Sequence, residues 1–508
     1  MSCGACGADQ PDDARFCSRC GIRLDAGVGD GEQAPTEQSP SQVPAYALSG
    51  ENPPPVAPVS RPWRQRRGAM AAAAAVVVVL GVLAVAGWQE HWPSALFGSA
   101  TPKPLTWSAV QAPLPADALG SAGQNASVDD VACPSVSNCV LVGDYLNSTD
   151  SGNALVETLS HGTWIPATGA VDVPVGTQDT FIALAGVACP SPGACTAVGA
   201  DLGGSQDMET PLTETLSGGT WTSGKLPLPS NADTAKPAAY LSGIACPSPG
   251  TCVATGWYVD QNGDVRGLIE TLSGGAWTAT SAPLPAGAIL SKESSNLPTA
   301  LFVVKCPAVG TCVAVGDYMD KNGNQGLIET LSGGTWTAAR APLPDDARSA
   351  NPGVFLSSIA CPASGTCVVP GHYYSRNGQS RNLIETLSGG TWTSAVPPLP
   401  ADAAASQKWS ETQPTGLTAT ACEAVGTCVA IGSYTARNGA IDAMIDTQSG
   451  GTWTAARAAV PAGAAVAKQI VYFNSATCPA PGDCIAVGGY KTQNGSTQGL
   501  IEKATYRS

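Results

Sequence analysis

The 508-residue chain is poor in charge: Asp, Glu, Lys and Arg make up 13% of it, while Gly and Pro number 58 and 41. So sparse a charged complement among so many turn formers excludes a mainly helical chain and a disordered polyelectrolyte. It points to short strands joined by turns. Basic residues are the scarcer sign, 25 against 39 acidic, for a net charge of −14. That balance excludes nucleic acid as the main partner, because phosphate binding needs a basic surface. Histidine is rarer still. Of the three, His91 lies beside an apolar run, His161 replaces a turn residue, and His372 alone stands where a site is expected. With no G-x-S-x-G elbow and no zincin motif, nucleophilic catalysis has little support.

What is abundant is one unit written seven times, most clearly over Phe355 to Pro400. Four short β signals can be read in that copy: Phe355 to Ala360, Cys367 to Tyr374, Leu383 to Leu387, and a fourth opening at Thr391-Trp392-Thr393. Asn377-Gly378 predicts a type I′ turn between the second and third, and Gly389-Gly390 turns the third into the fourth. A single four-stranded sheet cannot bury both faces, so the copies must stack. Seven suit a β-propeller, whose usual range is four to eight blades.

Counting also says how the ring closes. The fourth-strand tryptophans are Trp107, Trp164, Trp221, Trp277, Trp336, Trp392 and Trp453, and Trp107 precedes every cysteine pair. The last pair is followed by a third strand and then by the end of the chain. The segment TWSAVQAPLP, Thr106 to Pro115, is therefore the missing outer strand of the last blade, and the expected fold is an all-β, seven-bladed propeller over residues 105–508. Fourteen cysteines fall in C-x₅-C pairs, one per blade: Cys133 with Cys139, Cys189 with Cys195, Cys246 with Cys252, Cys306 with Cys312, Cys361 with Cys367, Cys422 with Cys428, and Cys478 with Cys484. Each joins the end of a first strand to the start of a second, where cross-strand Cα atoms are close enough for a disulfide.

The other four cysteines lie in residues 1–25, as Cys3-Gly-Ala-Cys6-Gly and Cys17-Ser-Arg-Cys20-Gly. Two such knuckles complete a tetrahedral Cys₄ zinc site, structural because no position is left open. Metal binding would supply most of the folding free energy of so short a segment. The segment resembles the zinc-ribbon family, and its balanced charge favours a cytoplasmic protein partner over nucleic acid. Residues 26–67 form a Pro/Gly-rich disordered tether ending in Arg61, Arg64, Arg66 and Arg67. The apolar run that follows, residues 68–88, is long enough to span a bilayer, and residues 89–104 link it to the propeller. The arginines place the N-terminus in the cytoplasm and the propeller outside. A competing reading takes Ala84-Val85-Ala86 as a signal-peptide cleavage site; the residues preceding the run and the length of the run count against it.

Repetition separates scaffold from site, since what recurs in every blade is what a blade needs. By that test the tryptophans and the second-strand tyrosines pack between sheets. The third-strand acids, Glu157, Glu214, Glu270, Glu329, Glu385, Asp446 and Glu502, are expected to be buried and hydrogen-bonded to a neighbouring hairpin or an indole N–H. The position after the second-strand glycine varies instead, and Asp144, Trp257, Asp317 and His372 are the candidate ligand-binding residues on the rim. Asp260 to Asp264 and Asp320 to Asn324 look a little like calcium loops but lack the bidentate glutamate, so calcium is the weaker cofactor expectation beside zinc.

The hairpin ETLSGGTWT resembles the Asp-box of sialidase-like propellers: Gly389, Thr391 and Trp392 match, while Leu387 stands in the aspartate position. The resemblance implies propeller architecture, and neither an arginine cluster nor a tyrosine nucleophile can be assigned. The expectation is a binding or interaction module, with a glycan-active enzyme of sialidase-like or lyase type as the alternative.

Overall fold

The structure is a computed structural model. It describes residues 105–506 apart from 122, 170–180, 203–208, 293–298, 406, 408–415 and 466–469. The zinc ribbon, tether and membrane span read from the sequence lie outside the described residues. Among the described residues no helix is long and apolar enough to cross a membrane.

Seven antiparallel sheets form the ring. The first comprises Ser127–Ser135, Asn138–Leu146, Gly152–Ser160 and Thr163–Thr168, paired in chain order. Blades 2 to 6 repeat this order over residues 182–225, 239–281, 300–340, 355–395 and 416–457. Blade 7 takes three strands from residues 471–506 and its outermost strand, Leu105–Gln111, from the other end of the described chain. Leu105 pairs with Tyr506 and Trp107 with Ala504, so closure occurs as the tryptophan stagger requires. The innermost strands of neighbouring blades touch all the way round, blade 7 against blade 1 included.

Turn chemistry divides differently from the sequence expectation. At Asn377-Gly378 only the glycine is left-handed, with φ 72°; Gly378 N–H donates to Ser375 O at 2.8 Å and Ser375 N–H to Gln379 O at 2.9 Å. That is a longer loop with glycine in the left-handed position, not a type I′ turn. The two consecutive left-handed residues of a type I′ turn occur instead at Gly389-Gly390, with φ 57° and 79°. His161 takes the place of the first glycine in blade 1 and adopts φ 50°.

All seven cysteine pairs are disulfides, with Cα atoms 3.9 to 4.1 Å apart. Each half-buried tryptophan clusters with the disulfide of its own blade: Trp392, for example, packs with Cys361, Cys367 and Leu387, together with Val313, Val315 and Ile328 of blade 4. Covalent and apolar contacts thus meet at one end of each blade. The other end carries the loops between blades.

Candidate functional site at the ring axis

The innermost strands carry the same irregularity. In six blades the pairing with the second strand skips one residue, a β-bulge at Asp129, Ala185, Ser242, Phe302, Thr418 or Asn474. In blade 5 the ladder breaks at the equivalent Ser357. The second-strand glycine permits this close approach: a Cβ on Gly316 would lie 1.9 Å from Ala300 O. A bulge re-aims the side chain it frees. All seven bulge residues are half-buried, whereas the apolar residue before each is fully buried. Together they line an axial pocket of about 90 Å³.

The wall is uneven. Asp129 accepts from Ser127 Oγ at 2.8 Å and from Asn474 Nδ2 at 3.0 Å. Asp130 bridges three blades, accepting from Ser475 Oγ of blade 7 at 2.5 Å and from Val187 N–H of blade 2 at 2.8 Å. Ser242 and Ser357 each donate to a carbonyl of the next inner strand, Leu301 O at 3.0 Å and Leu417 O at 2.8 Å. Phe302 and Phe355 form an aromatic arc, with ring centroids 4.8 Å apart. Lys305 lines the same pocket nearer the disulfide end.

The rim candidates stand one layer behind this ring. The register places Asp144, Trp257, Asp317 and His372 opposite Ser127, Tyr240, Ala300 and Phe355, all at one level. They do not project from a rim: Asp144, Trp257 and Asp317 are buried at 3 to 5% exposure. His372 stacks on Phe355 with centroids 5.5 Å apart. Burial first, and then the nearby charge of Asp129, hold the Asp144 carboxyl well above the usual carboxylate range. Burial pushes Asp317 up to about 7, against the lowering effect of a 3.0 Å hydrogen bond from Asn324. One oxygen of each carboxyl and the indole N–H of Trp257 have no hydrogen bond among the described residues.

The third-strand acids require a correction. All seven are fully buried, but Glu157, Glu270, Glu329, Glu385, Asp446 and Glu502 have neither oxygen hydrogen-bonded among the described residues, to a hairpin or to an indole. Burial alone pushes each of these six up to about 8, so they are neutral acids packed between sheets at neutral pH. The calcium-like loops use their carboxylates internally. Asp260 accepts from Asn262 and Asp264 N–H and from Arg266 Nε at 2.6 Å, and Asp320 accepts from Asn322 N–H at 2.7 Å.

A second role of the tyrosines was not read from the sequence. Tyr145, Tyr373 and Tyr434 donate to Asp117, Asp346 and Asp402, and Tyr258 to Asn231, at 2.5 to 3.0 Å. Each acceptor lies in the loop leading into the same blade, two residues after the second proline of a Pro-Leu-Pro segment. That spacing was the available signal. The bonds pin these loops between blades to the second strand of the blade they lead into.

Fold and site define a seven-bladed β-propeller with a variable axial pocket. No family model matches the chain, and no curated protein does. Among solved structures it is similar to a protein of unknown function from Dyadobacter fermentans, at 10% identity over 79% of this chain and 99% of that one, with a TM-score of 0.44. It is also similar to Trypanosoma rangeli sialidase in complex with sialic acid, at 11% identity over 79% of this chain and 59% of that one, TM-score 0.40. A mutant of AofleA from Arthrobotrys oligospora matches at 13% identity over 70% and 91% of the two chains, TM-score 0.32.

Proposed function

We propose that the chain is a membrane-tethered binding protein, with the propeller outside the cell and its ligand held at the axial pocket. The observation that carries this reading is the bulge ring. Seven equivalent positions that the fold turns towards one cavity hold six residue types, while the tryptophans, disulfides and buried acids around them recur. Seven disulfides suit an oxidising compartment. The arginines before residues 68–88 then place residues 1–25 in the cytoplasm, folded on zinc through Cys3, Cys6, Cys17 and Cys20.

A glycan-active hydrolase or lyase is the second reading. It is favoured by the Asp129 and Asp144 carboxyls, one held neutral beside the other, as acid and base pairs are. A small-molecule and glycan screen of the full-length protein, followed by heteronuclear NMR, tests both. Binding without turnover that shifts the bulge residues supports the module; released sugar supports the enzyme. Ligands mapping only to the outer strands remove the axial reading. Protease treatment of intact cells should reach the propeller and spare the ribbon, and the reverse result would overturn the topology.

A further inference from the structure

The polar part of the axial pocket's wall offers mainly hydrogen-bond acceptors, because most of its side-chain protons are already committed to the protein. Ser242 and Ser357 give theirs to Leu301 O and Leu417 O. Thr418 and Thr420 give theirs to Ile431 O at 3.2 Å and Val429 O at 2.8 Å. The Ser475 hydroxyl is held by Asp130, and the Asn474 amide N–H groups by Val128 O and Asp129. What remains among the lining side chains is hydroxyl lone pairs and two carboxylates, and beside them Asn474 Oδ1 is buried with no hydrogen bond among the described residues. Lys305 and Ser358 are the lining side chains whose protons no hydrogen bond above commits.

We propose that this pocket takes a positively charged, donor-rich group, an alkylammonium or guanidinium, with its charge on the Asp129 and Asn474 side. The assignment rests on the axial binding reading above and names its ligand chemistry. An ammonium supplies three donors and a guanidinium five, matching a wall that otherwise has acceptors in excess. The Phe302 and Phe355 arc covers the apolar stem and adds cation–π attraction. At about 10 to 15 Å³ of cavity space for a single water, the cavity of about 90 Å³ has room for an ammonium with a short alkyl stem. Lys305, three residues beyond Phe302 on the same strand, lines the pocket nearer the disulfide end, away from the Phe302 and Phe355 arc. A net charge of −14 steers cations inward. Among the described lining side chains, only Lys305 and Ser358 offer a carboxylate ligand an uncommitted proton, so the pocket is opposite in sign to an arginine-lined acid site.

Titration of the detergent-solubilised full-length protein with propylammonium, guanidinium, propanol and propionate at matched ionic strength tests this. The two cations are expected to saturate, shifting the NMR signals of the bulge residues. Asp129→Asn should weaken them about tenfold, the loss of one charge-assisted hydrogen bond. Ala185→Asp, which adds a carboxylate at an equivalent ring position that bears no hydrogen bond of its own to lose, should tighten them, so the two variants move in opposite directions. Lys305→Met should not weaken them. Failure of both cations to saturate overturns the assignment. Propanol or propionate binding the same residues as tightly overturns it too, while leaving the axial pocket as the site. Probes that shift only residues away from the ring remove the axial reading itself.

Discussion

Glu329 offers a direct measure of what the neutral acids do between blades. Its side chain is fully buried, neither oxygen has a hydrogen bond among the described residues, and burial raises its pKa from 4.5 to about 8. Between those values the folded protein holds a proton that the unfolded chain releases. Stability is therefore full below about pH 4.5 and falls as pH rises towards 8, by about 1.4 kcal/mol per pH unit. The whole interval corresponds to about 5 kcal/mol for this one residue. Glu329→Gln keeps the shape and removes the titration. Urea unfolding of both proteins at pH 5, 6, 7 and 8, with disulfides intact, should show the variant losing about 1.4 kcal/mol less per pH unit than the parent. The gain should be largest at pH 8. Parallel pH profiles would refute the reasoning, because they would mean that the carboxyl is ionised in the fold or satisfied by a partner.

The other predictions concern the blade ends. Replacing Cys361 and Cys367 together by alanine opens a ring of seven residues and should cost about 2 kcal/mol, read as a lower urea midpoint; an unchanged midpoint would show that the Trp392 cluster holds the blade end without the bond. Tyr373→Phe removes the hydroxyl bonded to Asp346 and should cost about 1.5 to 3 kcal/mol, with faster amide exchange over residues 345–348. Exchange unchanged there would show the loop to be held by its backbone bonds, such as Arg348 N–H to Tyr374 O.

Much of the site lay one step beyond the pattern. Setting variable positions against a repeated frame points to the residue after the second-strand glycine, where Asp144, Trp257 and Asp317 are buried. The ring residues vary as well, four positions before the first cysteine of each pair, from Asp129 to Asn474. Period-2 reading assigns them by alternation along the strand, and a bulge breaks that alternation without marking the sequence. The second-strand glycine was its indirect trace, since the close approach tolerates no Cβ.

Composition and local chemistry were enough for the strands, the number of blades, the disulfide partners and the strand that closes the ring. Each depends on residues near one another in sequence or on a count of copies: cysteines six apart must meet across one turn, and a lone early tryptophan must serve a blade that lacks one. Which strand faces the axis, which side chains the bulges turn into it, and whether a buried glutamate finds a partner depend on how seven sheets lean on each other. Those outcomes are set by contacts between residues some 60 positions apart, such as Ser357 with Leu417, which only the closed ring brings together.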